Sequence, residues 1–277
     1  MVVVHTRDEL RRALRRAGQR RGVVLVPTMG ALHSGHAALL DEARRRGDVL
    51  VASIFVNPLQ FGPDEDLERY PRTFDDDLAM CAEHGVDLVF SPSVDEVYPG
   101  GDPTVTIDPG PAADVLEGAS RPGHFRGVLT VVAKLFGLVA PDIAVFGEKD
   151  YQQLVLIRRM TQDLCLPIDI VGAETVREAD GLALSSRNGY LSHEERTSAL
   201  ALNRALTAGR AAGPQGADDV LAAASAALAA TSGLDVDYVT LRGADLEEAP
   251  TEGEARLLVA AKVGGTRLID NVAVGLG

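Results

Sequence analysis

Two histidines three residues apart stand in the segment Pro27-Thr28-Met29-Gly30-Ala31-Leu32-His33-Ser34-Gly35-His36. On a first helical turn that spacing puts both imidazoles on one face. Unpaired backbone N–H groups and the positive end of the helix dipole converge at the same place, which suits phosphate. Gly35 leaves the backbone uncovered, so a bulky anion can come close. For an isolated pair, a capping histidine beside a solvated one is the plainer reading. A zinc pair would need a third ligand, and no Cys/His cluster follows. The neighbouring elements favour the phosphate reading: Val23-Val24-Leu25-Val26 reads as a buried strand, and Ala37-Ala38-Leu39-Leu40 continues as a helix.

Strands deliver polar groups twice more. Val49-Leu50-Val51-Ala52-Ser53-Ile54-Phe55-Val56 ends in Asn57-Pro58-Leu59-Gln60, and Ile143-Ala144-Val145-Phe146 runs into Gly147-Glu148-Lys149-Asp150-Tyr151-Gln152-Gln153. Ligands of open α/β sheets bind at the carboxyl ends of strands. There Asn57 and Gln60 offer amides to hydroxyl or carboxylate groups, Lys149 can reach phosphate oxygens and Asp150 ribose hydroxyls. Gln153, one turn on, can face the same crevice. Ordinary loop capping explains Asn57 and Gln60 equally well. Further on, the loop from Val176 to Gly189 carries Ser185-Ser186-Arg187, two hydroxyls and a guanidinium that suit a polyphosphate but form a weak motif alone. Arg121-Pro122-Gly123-His124-Phe125-Arg126-Gly127 reads as a connector or an anion-contacting lid before an apolar helix over 128–138. Thr73 reads as the cap of a helix reaching Ala82, with Asp75, Asp76 and Asp77 in its first turn and magnesium binding as the alternative use of those acids.

The elements that must position these groups alternate. Thr6-Arg7-Asp8-Glu9 has capping-box spacing and opens a helix over 7–17, on which Arg11, Arg12, Arg15 and Arg16, followed by Arg20 and Arg21, read as a solvated face. Further strands fall at 86–90, 104–107 and 168–171, and strand–helix alternation implies an α/β, doubly wound parallel sheet. Past residue 175 come helices from Ser192 to about 212 and over 218–230, then strands over 236–241, 256–263 and 267–274, the last two joined by Gly264-Gly265. This predicts a domain over 1–175 and a smaller α+β C-terminal domain over 176–277.

Composition excludes several classes. The 277 residues are 46% hydrophobic, enough for a sizeable core, and 40 acidic against 27 basic residues give a net charge of −13. That charge repels a phosphate backbone, so no nucleic acid is expected as partner. No run has the length of a membrane span, and Asp8 and Glu9 stand where a signal peptide would be apolar, so no membrane and a cytoplasmic location are expected. Cys81 and Cys165 sit in apolar settings and read as free, buried thiols.

Together, Pro27-Thr28-Met29-Gly30-Ala31-Leu32-His33-x-Gly35-His36, Asn57-Pro58-x-Gln60-Phe61, Tyr70-Pro71-Arg72, Gly147 to Gln153 and Ser185-Ser186-Arg187-Asn188 occur in the order and spacing of the pantothenate synthetase (pantoate–β-alanine ligase) family, which the chain resembles from its first strand to Asp270-Asn271. The resemblance covers essentially the whole chain. It implies a Rossmann-like sheet of the H-x-G-H nucleotidyltransferase kind and an ATP-dependent ligase. In that chemistry pantoate attacks the α-phosphorus of ATP to give pantoyl adenylate and pyrophosphate, and β-alanine then displaces AMP to give pantothenate. Carried over by position, Met29, Gly30, Ala31, Leu32, His33, Ser34, Gly35 and His36 form an ATP loop whose histidines stabilise the transition state. Lys149 acts with them, Gly147 and Asp150 hold the ribose, Val176 lies at the adenine region, Glu148 and Leu184 are further nucleotide-binding positions, and Ser185, Ser186 and Arg187 hold the departing pyrophosphate. Gln60, Gln153 and Asn57 bind pantoate, with Gln60 also near β-alanine, and Val128, Val131 and Val132 face pantoate's methyl groups. Mg2+ accompanies ATP, no residue is assigned as its ligand, and a homodimer is implied. Leu184 departs from the methionine common in the family, an exchange of similar volume. A tRNA-synthetase-like ligase, a simple nucleotidyltransferase and a non-catalytic nucleotide module are the rival readings.

Overall fold

The computed structural model describes residues 1–16, 22–62, 67–68 and 70–277. These cluster into two units, one of 1–148 and 152–174, the other of 149–151 and 175–277. Ala17, Arg20 and Arg21, part of the expected first helix and its arginine face, lie outside the described residues.

In chain order the first elements are β1 (Val2–Val4), α1 (Arg7–Arg16), β2 (Val23–Thr28), α2 (Ser34–Arg44), β3 (Val49–Ile54), α3 (Phe74–Glu83) and β4 (Leu88–Phe90). They are followed by α4 (Val94–Val97), α5 (Glu117–Ser120), α6 (His124–Val139), β5 (Ile143–Gly147), α7 (Tyr151–Asp163) and β6 (Asp169–Ala173). The six strands form one parallel sheet in the order β1-β4-β3-β2-β5-β6. Its central strands are apolar on both faces because helices cover both, and Val24, Leu25, Val26, Leu50 and Val51 are fully buried. Asp142, just before β5, accepts from the backbone N–H groups of Gly22 (3.1 Å) and Val23 (2.8 Å) and so pins the start of β2.

Strand order reverses between β2 and β5, which makes that boundary the topological switch point. The two strands pair only at Val24–Ile143 and Leu25–Ala144, although β2 runs on to Thr28 and β5 to Gly147. Their pairing thus ends well before their carboxyl ends.

Four expectations are corrected. Residues 104–107 are not a strand: Val105 is 81% exposed, and the Ile107 N–H is taken by Thr130 Oγ1 (3.1 Å). His124 and Arg126 lie inside α6, which starts after a left-handed Gly123 (φ 81°), ahead of the expected 128. Thr73 precedes α3 without capping it and donates instead to Asp77 Oδ1 (3.1 Å). Cys165 is exposed, at φ 51° in the turn after α7, whereas Cys81 is buried. Among the described residues no helix is long and apolar enough to cross a membrane.

The second unit contains α8 (His193–Ala211), α9 (Ala217–Ala229), β7 (Leu234–Gly243), β8 (Gly253–Val263) and β9 (Thr266–Leu276). The strands form an antiparallel sheet in the order β7-β8-β9. Ser192 and Glu195 exchange hydrogen bonds as a capping box at the start of α8. Leu202 and Leu206 of α8 and Val220 and Ala224 of α9 bury against Leu257 and Val259 of β8.

Candidate active site

The chain leaves β2 through a turn that costs backbone strain. Gly30 (φ 83°) and Ala31 (φ 51°) are both left-handed, and for alanine this costs about 1–2 kcal/mol. Asp77 offsets it. Its carboxylate, 2% exposed, accepts from Ala31 N (3.0 Å, Oδ2) and Leu32 N (2.8 Å, Oδ1). A Cβ on Gly30 would stand 2.9 Å from Asp77 Oδ2, so this position requires glycine. With Thr73 also on Oδ1, both carboxylate oxygens are engaged. Asp76 is exposed, and among the described residues no three His, Cys, Asp or Glu side chains could hold a metal ion. Asp77 thus clamps the loop through both of its oxygens.

The two histidines follow at once. His33 is the N-cap of α2, with extended backbone (φ −138°, ψ 177°), and His36 is its third residue. His33 Nδ1 accepts from Gly35 N (3.1 Å), and His36 Nδ1 accepts from His33 N (3.3 Å). The ring centroids are 4.2 Å apart. A backbone N–H can only donate, so each Nδ1 is a lone-pair acceptor and the proton of each neutral ring resides on Nε2. Capping thus engages Nδ1 of each ring and fixes its orientation.

Beyond β3, Asn57 caps the turn Pro58–Gln60 and is itself 1% exposed. Its Oδ1 accepts from Tyr98 Oη (2.8 Å), and its Nδ2 donates to Gly127 O and Gln60 Oε1 (both 3.2 Å). Gln60 Nε2 in turn donates to Met29 Sδ (2.9 Å), joining this turn to the histidine loop. The Gln60 carbonyl accepts from His124 Nδ1 (2.8 Å) and Arg121 (3.3 Å), while Arg121 also donates to His124 Nε2 (3.0 Å). The basic segment thus holds Gln60 in place. Gly127 makes this possible, since a Cβ there would lie 2.1 Å from Leu59 O. Val128, Val131 and Val132 line the same helix α6 and are buried. Gly147 and Glu148 lie at the carboxyl end of β5, and Gln153, half-buried, lies on α7.

In the second unit, Lys149 and Asp150 belong to a single 3₁₀ turn. Among the described residues the Lys149 ammonium has no ion-pair partner. The loop from Val176 to Asn188 folds on itself through Glu178 N to Leu182 O (2.8 Å), Leu184 N to Val176 O (2.9 Å) and an Arg177–Ala183 bridge. Leu184 is thus fixed through its backbone. Arg196 clamps Glu178 and Asp180 (both 2.6 Å) and holds the Glu178 carboxyl below its usual range. Ser185 Oγ accepts from Arg187 N (3.2 Å) and opens the turn Ser186–Tyr190. The Arg187 side chain is exposed and unpaired among the described residues.

Sequence reasoning did not find Tyr98, Gly127 or the roles of Asp77, Arg121 and His124. The Thr73-x-x-x-Asp77 spacing was the available sign of a buried acid. Burial itself, which assigns these roles, has no local signature.

A family model described as pantoate-beta-alanine ligase matches residues 2–273. A pantothenate synthetase from Nocardioides sp. is 60% identical over the full chain and 86% of its own length, and one from Saccharopolyspora erythraea is 60% identical over the full chain and 92% of its length. The solved pantothenate synthetase of Thermus thermophilus superposes with a TM-score of 0.92 at 50% identity, covering 98% of this chain and 99% of that one. The pantoate-beta-alanine ligase of Francisella tularensis, solved with beta-gamma ATP and beta-alanine, gives 0.81 at 33% identity, covering 98% and 97%.

Proposed function

The chain belongs to the pantoate-beta-alanine ligase family, and we propose that the groups described above carry its chemistry by an acyl-adenylate route. The protein is an enzyme of pantothenate biosynthesis, a ligase of pantoate and β-alanine that uses ATP. In the proposed first step a pantoate carboxylate oxygen bonds to the α-phosphorus of ATP and the bond to the β-phosphate oxygen breaks, releasing pyrophosphate. In the second, the neutral amine of β-alanine attacks the acyl carbon, AMP leaves with the carboxylate-derived oxygen, and the amine loses a proton.

The carrying observation is the histidine pair beside the switch point, each with Nδ1 accepting a backbone N–H, an arrangement that puts the proton of a neutral ring on Nε2. Two such donors suit phosphate oxygens that gain charge in the transition state without needing a transferred proton. Met29 to His36 serve as the ATP loop, with Gly147, Glu148, Asp150, Val176 and Leu184 around the nucleoside. Lys149, Ser185, Ser186 and Arg187 serve the phosphates. Gln60 and Gln153 hold pantoate, with Asn57 setting the direction of Gln60 from its buried position. Mg2+ accompanying ATP would neutralise charge on the leaving pyrophosphate. The enzyme works in the cytoplasm as a homodimer, with a nucleotide- and pantoate-binding domain over 1–175 and a smaller one over 176–277.

Product analysis with Mg-ATP, pantoate and β-alanine, each omitted in turn, tests this reading. Pantothenate and AMP, dependent on all three, are expected. ADP in place of AMP would mean an acyl-phosphate route, and turnover without β-alanine would mean a nucleotidyltransferase.

A further inference from the structure

Asp270 and Asn271 lie in the middle of β9, paired with Val259 and Leu258 of β8, and both are buried, at 4% and 3% exposure. Buried polar pairs inside a sheet carry a desolvation cost that their partners must offset. The partners of these two are segments that the proposed function uses. Asp270 makes a two-pronged ion pair with Arg177 (2.6 and 2.9 Å), and Arg177 also donates to Gly181 O (3.2 Å), so the loop that ends in Ser185-Ser186-Arg187 is tied to β9. Asp270 Oδ1 also accepts from Asn271 N (2.8 Å), which orients the next residue. Asn271 Nδ2 then donates to the backbone carbonyl of Lys149 (2.9 Å). Its Oδ1 accepts from Arg256 Nε (2.7 Å), and the Arg256 guanidinium lies over the Tyr151 ring at 4.0 Å. Tyr151 donates to Ala244 O (2.7 Å).

We infer that Asn271 is a positioning residue for Lys149: its amide fixes the lysine's main chain, while Asp270 beside it anchors the Ser185-Ser186-Arg187 loop to the same strand. The ammonium has no ion-pair partner among the described residues, so the point from which this side chain extends is fixed at its backbone by Asn271. An asparagine fits the position because it must donate to a carbonyl and accept from Arg256 at once, which neither aspartate nor leucine can do. The inference rests on the reading of Lys149 as a phosphate contact.

A double-mutant cycle separates the two claims. The readout is single-turnover release of pyrophosphate from ATP in the presence of pantoate, with a thermal melt for each variant. Asn271→Ala should slow that step by about 10- to 100-fold, the range expected when a catalytic group is displaced by about 1 Å. Asn271→Asp keeps the acceptor for Arg256 while turning the donor to Lys149 into an oxygen that faces the carbonyl, and should show a comparable loss even if the alanine variant folds poorly. Lys149→Ala should lose at least as much, and adding Asn271→Ala to it should slow the step no further. If the double variant loses the product of the two single losses, or Asn271→Asp turns over at the parental rate, Asn271 does not act through Lys149. If Lys149→Ala alone releases pyrophosphate at the parental rate, the reading of Lys149 falls first.

Discussion

At His36 two duties meet in one ring. Nδ1 caps the start of α2 by accepting from His33 N, and Nε2 is the atom proposed to meet phosphate. Substituting asparagine, whose side-chain oxygen can take over the cap, removes the second duty while sparing most of the first. His36→Asn should therefore slow adenylate formation by about 10²- to 10³-fold, the usual loss for one preorganised donor to a developing oxyanion. ATP binding, measured by calorimetry, should weaken far less. Equal losses in both would mean that the ring contributes only ground-state binding. Asp77 makes a related case through backbone. It is the acceptor that holds Ala31 and Leu32 in place, and Asp77→Asn replaces one of its two oxygens with a donor facing an N–H group. That mismatch should cost about 1–3 kcal/mol of stability. A drop in kcat larger than any rise in KM for ATP would locate the damage in the histidine loop, whereas a lost magnesium ligand would be rescued by raising the magnesium concentration.

The strand ends were readable in the sequence because each combines a continuous apolar run with an abrupt polar turn. His33, Lys149 and Gln60 all follow such runs, and the Gly264-Gly265 hairpin and the Ser192 cap were equally local signals. What was not readable depends on partners far along the chain. Residues 104–107 have strand-like composition but no strand to pair with, and β1 is three residues at a sheet edge, too short to show a pattern. Helix α6 starts early because His124 and Arg121 bind the Gln60 carbonyl, a contact across more than sixty positions. Gly127 shows the same dependence, because its hydrogen leaves room for Leu59 O. Gly127→Ala should push the Asn57–Gln60 turn outward, destabilise the fold by about 1–3 kcal/mol as overpacking does, and raise KM for pantoate more than KM for β-alanine. An unchanged KM for pantoate, measured in steady state, would detach that turn from substrate binding.

At the scale of the whole molecule, an acidic protein binds a polyanionic substrate. The net charge of −13 sets the long-range field, but the groups proposed to meet ATP are local: paired imidazoles at a helix start, one lysine, one exposed arginine and two serines. No nucleophilic side chain is needed for the transfer, because pantoate itself supplies the attacking oxygen, and the protein's task is alignment and charge stabilisation. The destination of that oxygen is the most direct test. With pantoate labelled by ¹⁸O in its carboxylate, attack on the α-phosphorus followed by amine displacement must leave one labelled oxygen in AMP, readable by mass spectrometry or by the isotope shift of its phosphorus resonance. AMP carrying one ¹⁸O is the expected result. Unlabelled AMP, or label recovered in inorganic phosphate, would contradict the adenylate route and with it the roles given to His33 and His36.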